Sequence, residues 1–422
     1  MTFREVLTRR DGALYLEDVP VAELVRRFDT PLYAYSRNGL IERAERMRRA
    51  FGREPHLVAY SIKANMNLAV VRTFLDRGCG VDVTSRGELE RALHAGADPE
   101  KIVFSGVGKR ADEIDLALEV GIRMFNVESL EELAALDARA QELRKLAPIS
   151  FRLNPDVDPK THPGIATGLR TAQFGIPIEE APSAYSHAKS LPNVRVIGVD
   201  CHIGSQLTSL DPLREALLKI NETVLSLREQ GHTIDVIDIG GGLGIEYSGH
   251  DDPPTPEAYA KMALEVLGSL GATLVCEPGR LLTAGAGIFV MRALYRKANA
   301  GRRFLIVDGG MNDLLRPSLY QVEMRIETDP LRSGDPAPVD IVGPVCESTD
   351  RFAKDRLLPR VEPGDLVVVR DAGAYGSAMA STYNGRPLAA ETMVDGSIAE
   401  LVRRRQTLEE TWQAERMPVW ES

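Results

Sequence analysis

Eight short strand-like runs alternate with stretches of helical period between Val58 and Gly279, and this alternation constrains the fold more than any other feature of the chain. The runs cover residues 58–61, 80–84, 102–105, 123–127, 149–153, 196–200, 236–239 and 273–275. Most are β-branched or continuously apolar, as strands covered on both faces must be. Between them, residues 68–75, 89–93 and 213–227 repeat apolar side chains at helical spacing. Gly78, Gly96, Gly121 and Gly231 follow such stretches, where a helix C-cap takes a left-handed residue. Strand–helix alternation repeated eight times predicts a parallel (β/α)8 barrel of the TIM type, an α/β fold. The alternative is an open doubly wound sheet, but no Gly-x-Gly-x-x-Gly turn follows the first run.

The texture changes after residue 284. Runs at 287–295, 304–307, 338–342 and 366–370 are separated by Gly, Pro and Asp clusters, which predicts an all-β domain of sandwich or barrel type. The run at 13–16 also reads as a strand and is expected to join that domain. The expected division is therefore residues 1–30 packing with the β domain, 31–284 as the barrel and 285–422 as the β domain. A length of 422 residues fits two cores better than one. A net charge of -10 argues against nucleic acid and anionic membranes, which reward basic patches. No run of about 18 apolar residues predicts a membrane span. The first residues lack an apolar signal core. Cys79, Cys201, Cys276 and Cys346 lie far apart with no Cys-x-x-Cys pair, so neither zinc nor a disulfide framework is expected. Reduced thiols and a cytoplasmic location fit best.

In a (β/α)8 barrel the chemistry sits at the C-terminal strand ends. Those ends carry Lys63, Asp82, Glu128, Arg152, His202, Gly240, Gly241, Gly242, Glu277 and Arg280. A lysine directly after an apolar strand must pair or lose solvent, as a lysine that captures a carbonyl should; a solvated rim lysine is the other reading. Three successive glycines expose backbone N–H groups that can wrap a phosphate, or make a plain tight turn; Gly279 in the next loop adds to the first reading. Glu277 could hold a cofactor's pyridine nitrogen in its protonated form, or form a structural pair with Arg280. His202 could stack on a flat ring and Ser205 could reach a phosphate, whereas His202 alone reads as a core histidine. A lysine, a glycine cradle and an acid with an arginine at one barrel mouth are what pyridoxal 5'-phosphate (PLP) would require. In the second domain, Cys346 and Glu347 stand together on a loop, Tyr375 lies on another, and Arg316 with Tyr320 could clamp a carboxylate. Taken singly, each of these also has a structural reading.

Six ordered strings carry a resemblance that spans nearly the whole chain. They are Tyr60-Ser61-Ile62-Lys63-Ala64-Asn65, His202-Ile203-Gly204-Ser205-Gln206, Gly240-Gly241-Gly242, Glu277-Pro278-Gly279-Arg280, Cys346-Glu347-Ser348 and Asp371-Ala372-Gly373-Ala374-Tyr375. Together they resemble the fold-type III PLP decarboxylases, and among these the diaminopimelate decarboxylases. The resemblance implies that Lys63 carries PLP, with Gly240, Gly241, Gly242, Ser205, Tyr375 and the backbone of residues 277–280, Gly279 included, at the phosphate. It implies that Glu277 pairs with the pyridine nitrogen, that His202 stacks on the ring, and that Asp82 and Arg152 line the pocket. Arg280, Arg316 and Tyr320 would bind the substrate carboxylate, and Tyr375 would also contact substrate. Cys346 would be the proton donor and Glu347 would meet the distal ammonium group, both from the second subunit of a homodimer with shared sites. The implied reaction converts meso-2,6-diaminopimelate to L-lysine and carbon dioxide, the last step of lysine biosynthesis. The same fold also admits decarboxylases of other basic amino acids or of a carrier-bound glutamyl group, racemases, and PLP-binding proteins without catalysis. Racemases commonly place a tyrosine base where this chain carries Cys346. The segment Asp158-x-x-Thr161-His162-Pro163-x-Ile165-x-Thr167-Gly168 resembles a loop of the diaminopimelate enzymes. Gln173 stands before Phe174-Gly175, where lysine is expected, which leaves the contacts of this loop open.

Overall fold

The computed structural model describes residues 3–165, 167–247 and 252–420. They form two compact units, one built from Phe3 and residues 40–246 and 252–283, the other from residues 4–39, Tyr247 and residues 284–420.

The first unit is a closed barrel. Its strands are β1 His56–Ser61, β2 Gly80–Val83, β3 Ile102–Phe104, β4 Met124–Val127, β5 Ala147–Asn154, β6 Val194–Asp200, β7 Val236–Asp238 and β8 Thr273–Cys276. Each pairs in parallel with the next, and β8 pairs in parallel with β1, so no edge remains among them. Helices Leu68–Leu75, Arg86–His94, Ala111–Val120, Leu130–Leu143, Ala181–Ser190, Asp211–Glu229 and Pro256–Leu267 form the crossovers. Gly121 closes one of them in the left-handed region at φ +75°. All eight strands expected from the sequence are present, with ends that differ by at most two residues.

Side chains alternate along each strand, so inward residues recur at every second position. Leu57, Ala59, Val103, Met124, Val236 and Val275 make one buried apolar cluster. Burying a Val, Leu or Met side chain contributes about 1.5–3 kcal/mol, so this layer closes the barrel floor. Two residues further along the same strands the inward positions turn polar: Ser61, Ser105, Asn126, Asp238 and Glu277, all buried. Two further again lie Lys63, Glu128, Gly240 and Gly279. The barrel interior thus passes from apolar floor to polar mouth in steps of one strand repeat.

The second unit is built on Gly287–Asn299, a long strand that pairs with Arg302–Val307, Leu366–Val369 and Leu32–Ser36, all antiparallel. Leu32–Ser36 pairs in parallel with Ala390–Asp395, so the strand lies inside this sheet. The sequence reading began the barrel at residue 31; the buried run Leu-Tyr-Ala-Tyr-Ser suits either assembly, and partners some 250 and 350 residues away decide it. Ala13–Leu16 is a strand, but it pairs with Leu7–Arg10 and Val19–Pro20 in a separate three-stranded sheet. Its contribution is packing: Leu14 and Leu16 share one core with Ile288, Val290, Val368, Ala390 and Val394. The unit is not wholly β, because helices Val21–Phe28 and Arg316–Tyr320 belong to it.

Candidate active site

The end of β1 positions Lys63. The strand passes into a single helical turn, Ile62–Ala64, which turns the lysine amine towards β2. Lys63 Nζ stands 3.4 Å from Asp82 Oδ2, and Asp82 is fully buried on β2. Ser61 Oγ donates to the same carboxylate oxygen at 2.7 Å, fixing its orientation. The lysine side chain is 44% exposed in the single chain, so pairing rather than desolvation is what holds it here.

The β4 and β5 ends form a second ion pair. Arg152 and Glu128 are both buried and meet at 2.9 Å. Gly175 N donates to the other Glu128 oxygen at 2.7 Å, and the Arg152 guanidinium lies 4.8 Å from the Phe174 ring centroid. Phe174-Gly175, the dipeptide after Gln173, therefore docks on this pair. Residues 165, 167 and 168 run beside the segment after β6: Ser205 N donates to Ile165 O at 3.1 Å, and Thr167 Oγ1 donates to His202 O at 2.9 Å.

His202 is tied to the glycine loop, since Gly241 N donates to its Nδ1 at 3.1 Å. An accepting Nδ1 places the proton of the neutral ring on Nε2. Desolvation, followed by the positive charges of Arg152 and Lys63, holds the imidazole pKa well below its ordinary value. The ring is therefore neutral near pH 7, which suits stacking. A Cβ on Gly241 would sit 2.2 Å from the backbone oxygen of Glu277, and Glu277 N donates to Gly240 O at 2.8 Å. The loop after β7 and the end of β8 thus touch backbone to backbone. Arg280, the first residue of the helix Arg280–Thr283, donates to Ser205 Oγ at 3.2 Å.

Beneath these residues lies a group of four carboxyls, of which the sequence singles out only Asp82 and Glu277. Asp200 on β6 and Asp238 on β7 join Asp82 and Glu277, and all four are buried. Burial first, and then the neighbouring acids, raise the pKa of Glu277, Asp238 and Asp200 above the carboxylate range. Asn126 and Ser105 lie among them and were also missed. A signal was available: each is polar at the inward position two residues beyond a floor residue, in an otherwise apolar strand.

In the second unit, Arg316 is buried, its guanidinium 4.4 Å from the Tyr247 ring centroid, and Tyr320 ends the same one-turn helix. Cys346 and Glu347 lie on the turn before Arg351–Leu358. Asp350 braces that turn by accepting from Val345 N and Met311 N, each at 2.7 Å. Cys346 N donates to Asn384 Oδ1 at 2.9 Å, and Thr349 Oγ1 donates to Glu347 Oε1 at 2.7 Å. All four cysteines are free, and Cys346 is the exposed one. Burial pushes the Cys79 thiol up to about 12, and raises Cys201 and Cys276 as well, so these three are inert near neutral pH. Tyr375 is half-buried with φ +54°, in a loop where Arg325 pairs with Asp371 at 2.9 Å.

The family model for the pyridoxal binding domain of pyridoxal-dependent decarboxylases matches residues 37–284. A diaminopimelate decarboxylase from Pseudomonas aeruginosa is 47% identical over 97% of this chain and 99% of its own length. Another, from Haemophilus influenzae, is 46% identical over 96% and 98%. The chain belongs to the diaminopimelate decarboxylase family. Members of this family are PLP-dependent carboxy-lyases, and so is this chain. The crystal structure of the Helicobacter pylori family member complexed with L-lysine superposes with a TM-score of 0.90 at 41% identity, covering 93% of this chain and 98% of that one. The family member from M. jannaschi superposes with a TM-score of 0.94 at 36% identity, covering 98% of both.

The barrel mouth fits the cofactor of the family. Asp82 Oδ1 and Asp200 Oδ1 are buried with no hydrogen-bond partner among the described residues, so the mouth holds acceptors the protein does not satisfy itself. Glu277 is a buried acid that needs a positive or proton-bearing partner to ionise. The glycine loop is packed so closely that only backbone can line it. Among the described residues, no helix is long and apolar enough to cross a membrane, and no group of His, Cys, Asp and Glu could hold a metal ion.

Proposed function

We propose that Lys63 carries PLP at the barrel mouth and that the chain decarboxylates meso-2,6-diaminopimelate to L-lysine. The observation that carries this reading is the convergence, on adjacent strand ends, of Lys63 beside Asp82, the Gly241 N–H on His202, and the buried Glu277. Gly240, Gly241, Gly242, Gly279, Ser205 and Tyr375 are assigned to the phosphate, Glu277 to the pyridine nitrogen, and Asp82 and Arg152 to the pocket wall. Bound PLP supplies an electron sink for the carbon–carboxylate bond that breaks.

The protein's residues do the rest. Lys63 Nζ would hold the cofactor, and Asp82 would pair with the lysine ammonium group whenever it is free. Glu277 keeps a proton on the pyridine nitrogen, where its own burial makes an unpartnered carboxylate costly. A neutral His202 packs on the ring face without adding a cation above it. Arg280, Arg316 and Tyr320 hold the carboxylate that is retained, with Tyr375 also against the substrate, which leaves the other carboxylate as the one to depart. Cys346 Sγ delivers a proton to the carbon left behind, and Glu347 accepts from the distal ammonium group. We assign Cys346 and Glu347 to the site of a second subunit in a homodimer; an exposed thiol in the single chain supports that reading. A cytoplasmic location follows from a pathway that ends in an amino acid for protein synthesis.

The test is carbon dioxide release from meso-diaminopimelate, compared with ornithine, arginine and lysine at equal concentration. Preference for diaminopimelate supports the reading; preference for ornithine or arginine overturns the substrate while leaving the cofactor site intact.

A further inference from the structure

Asn126 on β4 is fully buried and stands at the centre of the barrel's polar layer. Ser150 Oγ on β5 donates to its Oδ1 at 2.5 Å, which fixes the amide so that Nδ2 faces the other way. On that side Nδ2 lies 3.2 Å from Ser105 Oγ, 3.4 Å from Asp238 Oδ2 and 3.5 Å from Glu277 Oε1. Ser105 Oγ donates in turn to Glu277 Oε1 at 3.2 Å. Asp238 uses its other oxygen to accept from Gly240 N at 3.0 Å. The donors therefore run from Ser150 through Asn126 to Ser105 and on to Glu277, while on a branch Asn126 Nδ2 and Gly240 N both donate to Asp238, which joins this layer to the glycine loop.

We propose that Asn126 is a positioning residue for Glu277, delivering the Ser150–Asn126–Ser105 chain of hydrogen-bond donors to its carboxylate and tying it to the glycine loop through Asp238. The proposal rests on the assignment of Glu277 to the cofactor's pyridine nitrogen. Its physical basis is that donors aimed at a buried carboxylate favour the ionised form, and that acids on every side disfavour it. The charged groups around Glu277 are Asp238, Asp82, Lys63 and Arg152, as well as Asp200. Removing the chain leaves Glu277 with acid neighbours and fewer donors. Its ability to hold a protonated ring nitrogen then falls, and cofactor is held less tightly.

The test is a double-mutant cycle on full-length holoenzyme, with cofactor retention measured by equilibrium dialysis and thermal stability measured alongside. Asn126→Ala and Ser105→Ala are each expected to raise the cofactor dissociation constant about tenfold or more, consistent with one lost hydrogen bond to a charged group. In a Glu277→Gln background both substitutions are expected to change it less than twofold, because positioning residues act through their target. Ser105→Ala removes one hydroxyl and serves if Asn126→Ala does not fold. Equal effects in both backgrounds, or lowered stability with unchanged cofactor affinity, overturn the proposal. If Glu277→Gln itself leaves affinity unchanged, the assignment of Glu277 fails and the proposal with it. If Glu277→Gln weakens binding while Asn126→Ala and Ser105→Ala do not, only the proposal fails.

Discussion

Lys63 illustrates what a single residue can and cannot announce. Its position after an apolar strand was enough to mark it as constrained, but the constraint proves to be a 3.4 Å pairing with a buried aspartate, not loss of solvent. The aspartate is itself held by Ser61, a neighbour in the same string. Lys63→Ala is expected to abolish the visible absorbance of the bound cofactor and to cut turnover on the order of 10³-fold or more, as removal of a covalent catalyst does. Retained absorbance with full activity would sink the assignment. His202 is the contrasting case. Alone it reads as an ordinary core histidine, and only the Gly241 N–H on its Nδ1 shows which tautomer it holds and which loop it serves.

At the scale of elements, the glycine loop after β7 is shaped by contact and not by flexibility. A Cβ on Gly241 would overlap the Glu277 carbonyl at 2.2 Å, so Gly241→Ala must push the loop away from β8. Losing one hydrogen bond to a charged group costs about 1.5–3 kcal/mol, so cofactor affinity is expected to fall about 10- to 150-fold. Equilibrium dialysis checks this, and unchanged affinity would remove the loop from the phosphate site. The same strand supplies a pH-dependent effect. Burial and the nearby Asp200 raise the Asp238 pKa in the folded protein. Its unfolded value is about 3.9. The folded state thus keeps this proton to higher pH than the unfolded chain does. The stability it contributes is complete below about pH 4 and is lost as pH rises towards the folded value. Cofactor-free Asp238→Asn protein is therefore expected to show a smaller drop in melting temperature between pH 5 and pH 8 than the parent protein. An identical drop in both would show that another group carries the titration. Periodicity made these strands legible. It did not reveal Asp238, Asn126 or Asp200, because a lone polar residue near a strand end looks like the start of a loop until its inward direction is known.

For the whole molecule, the proposed homodimer predicts complementation. Subunits carrying Lys63→Ala and subunits carrying Cys346→Ala are each expected to be inactive or nearly so. Random mixing gives half heterodimers, each with one intact site, so roughly a quarter of the parent activity should return if the sites are shared. No recovery after verified subunit exchange would place both residues of each site on one chain. Much of this architecture could be read from the sequence: eight short, largely apolar runs separated by helical stretches point to a closed parallel barrel, since that arrangement hides both faces of every strand. The six strings fixed the family because each combines a strand end with a residue type its chemistry needs. Pairing between distant segments could not be read. Leu32–Ser36 has the composition of a barrel strand, and it joins the other unit because its hydrogen-bond partners lie there. The buried acid layer was hidden for the same reason. Whether a carboxyl at a strand end is solvated or stacked above an apolar floor depends on neighbours from seven other strands. Local sequence determines strand, helix and inward alternation, because these arise from contacts within a few residues. Only the tertiary structure determined which acids share one barrel interior and therefore which proton affinities are displaced.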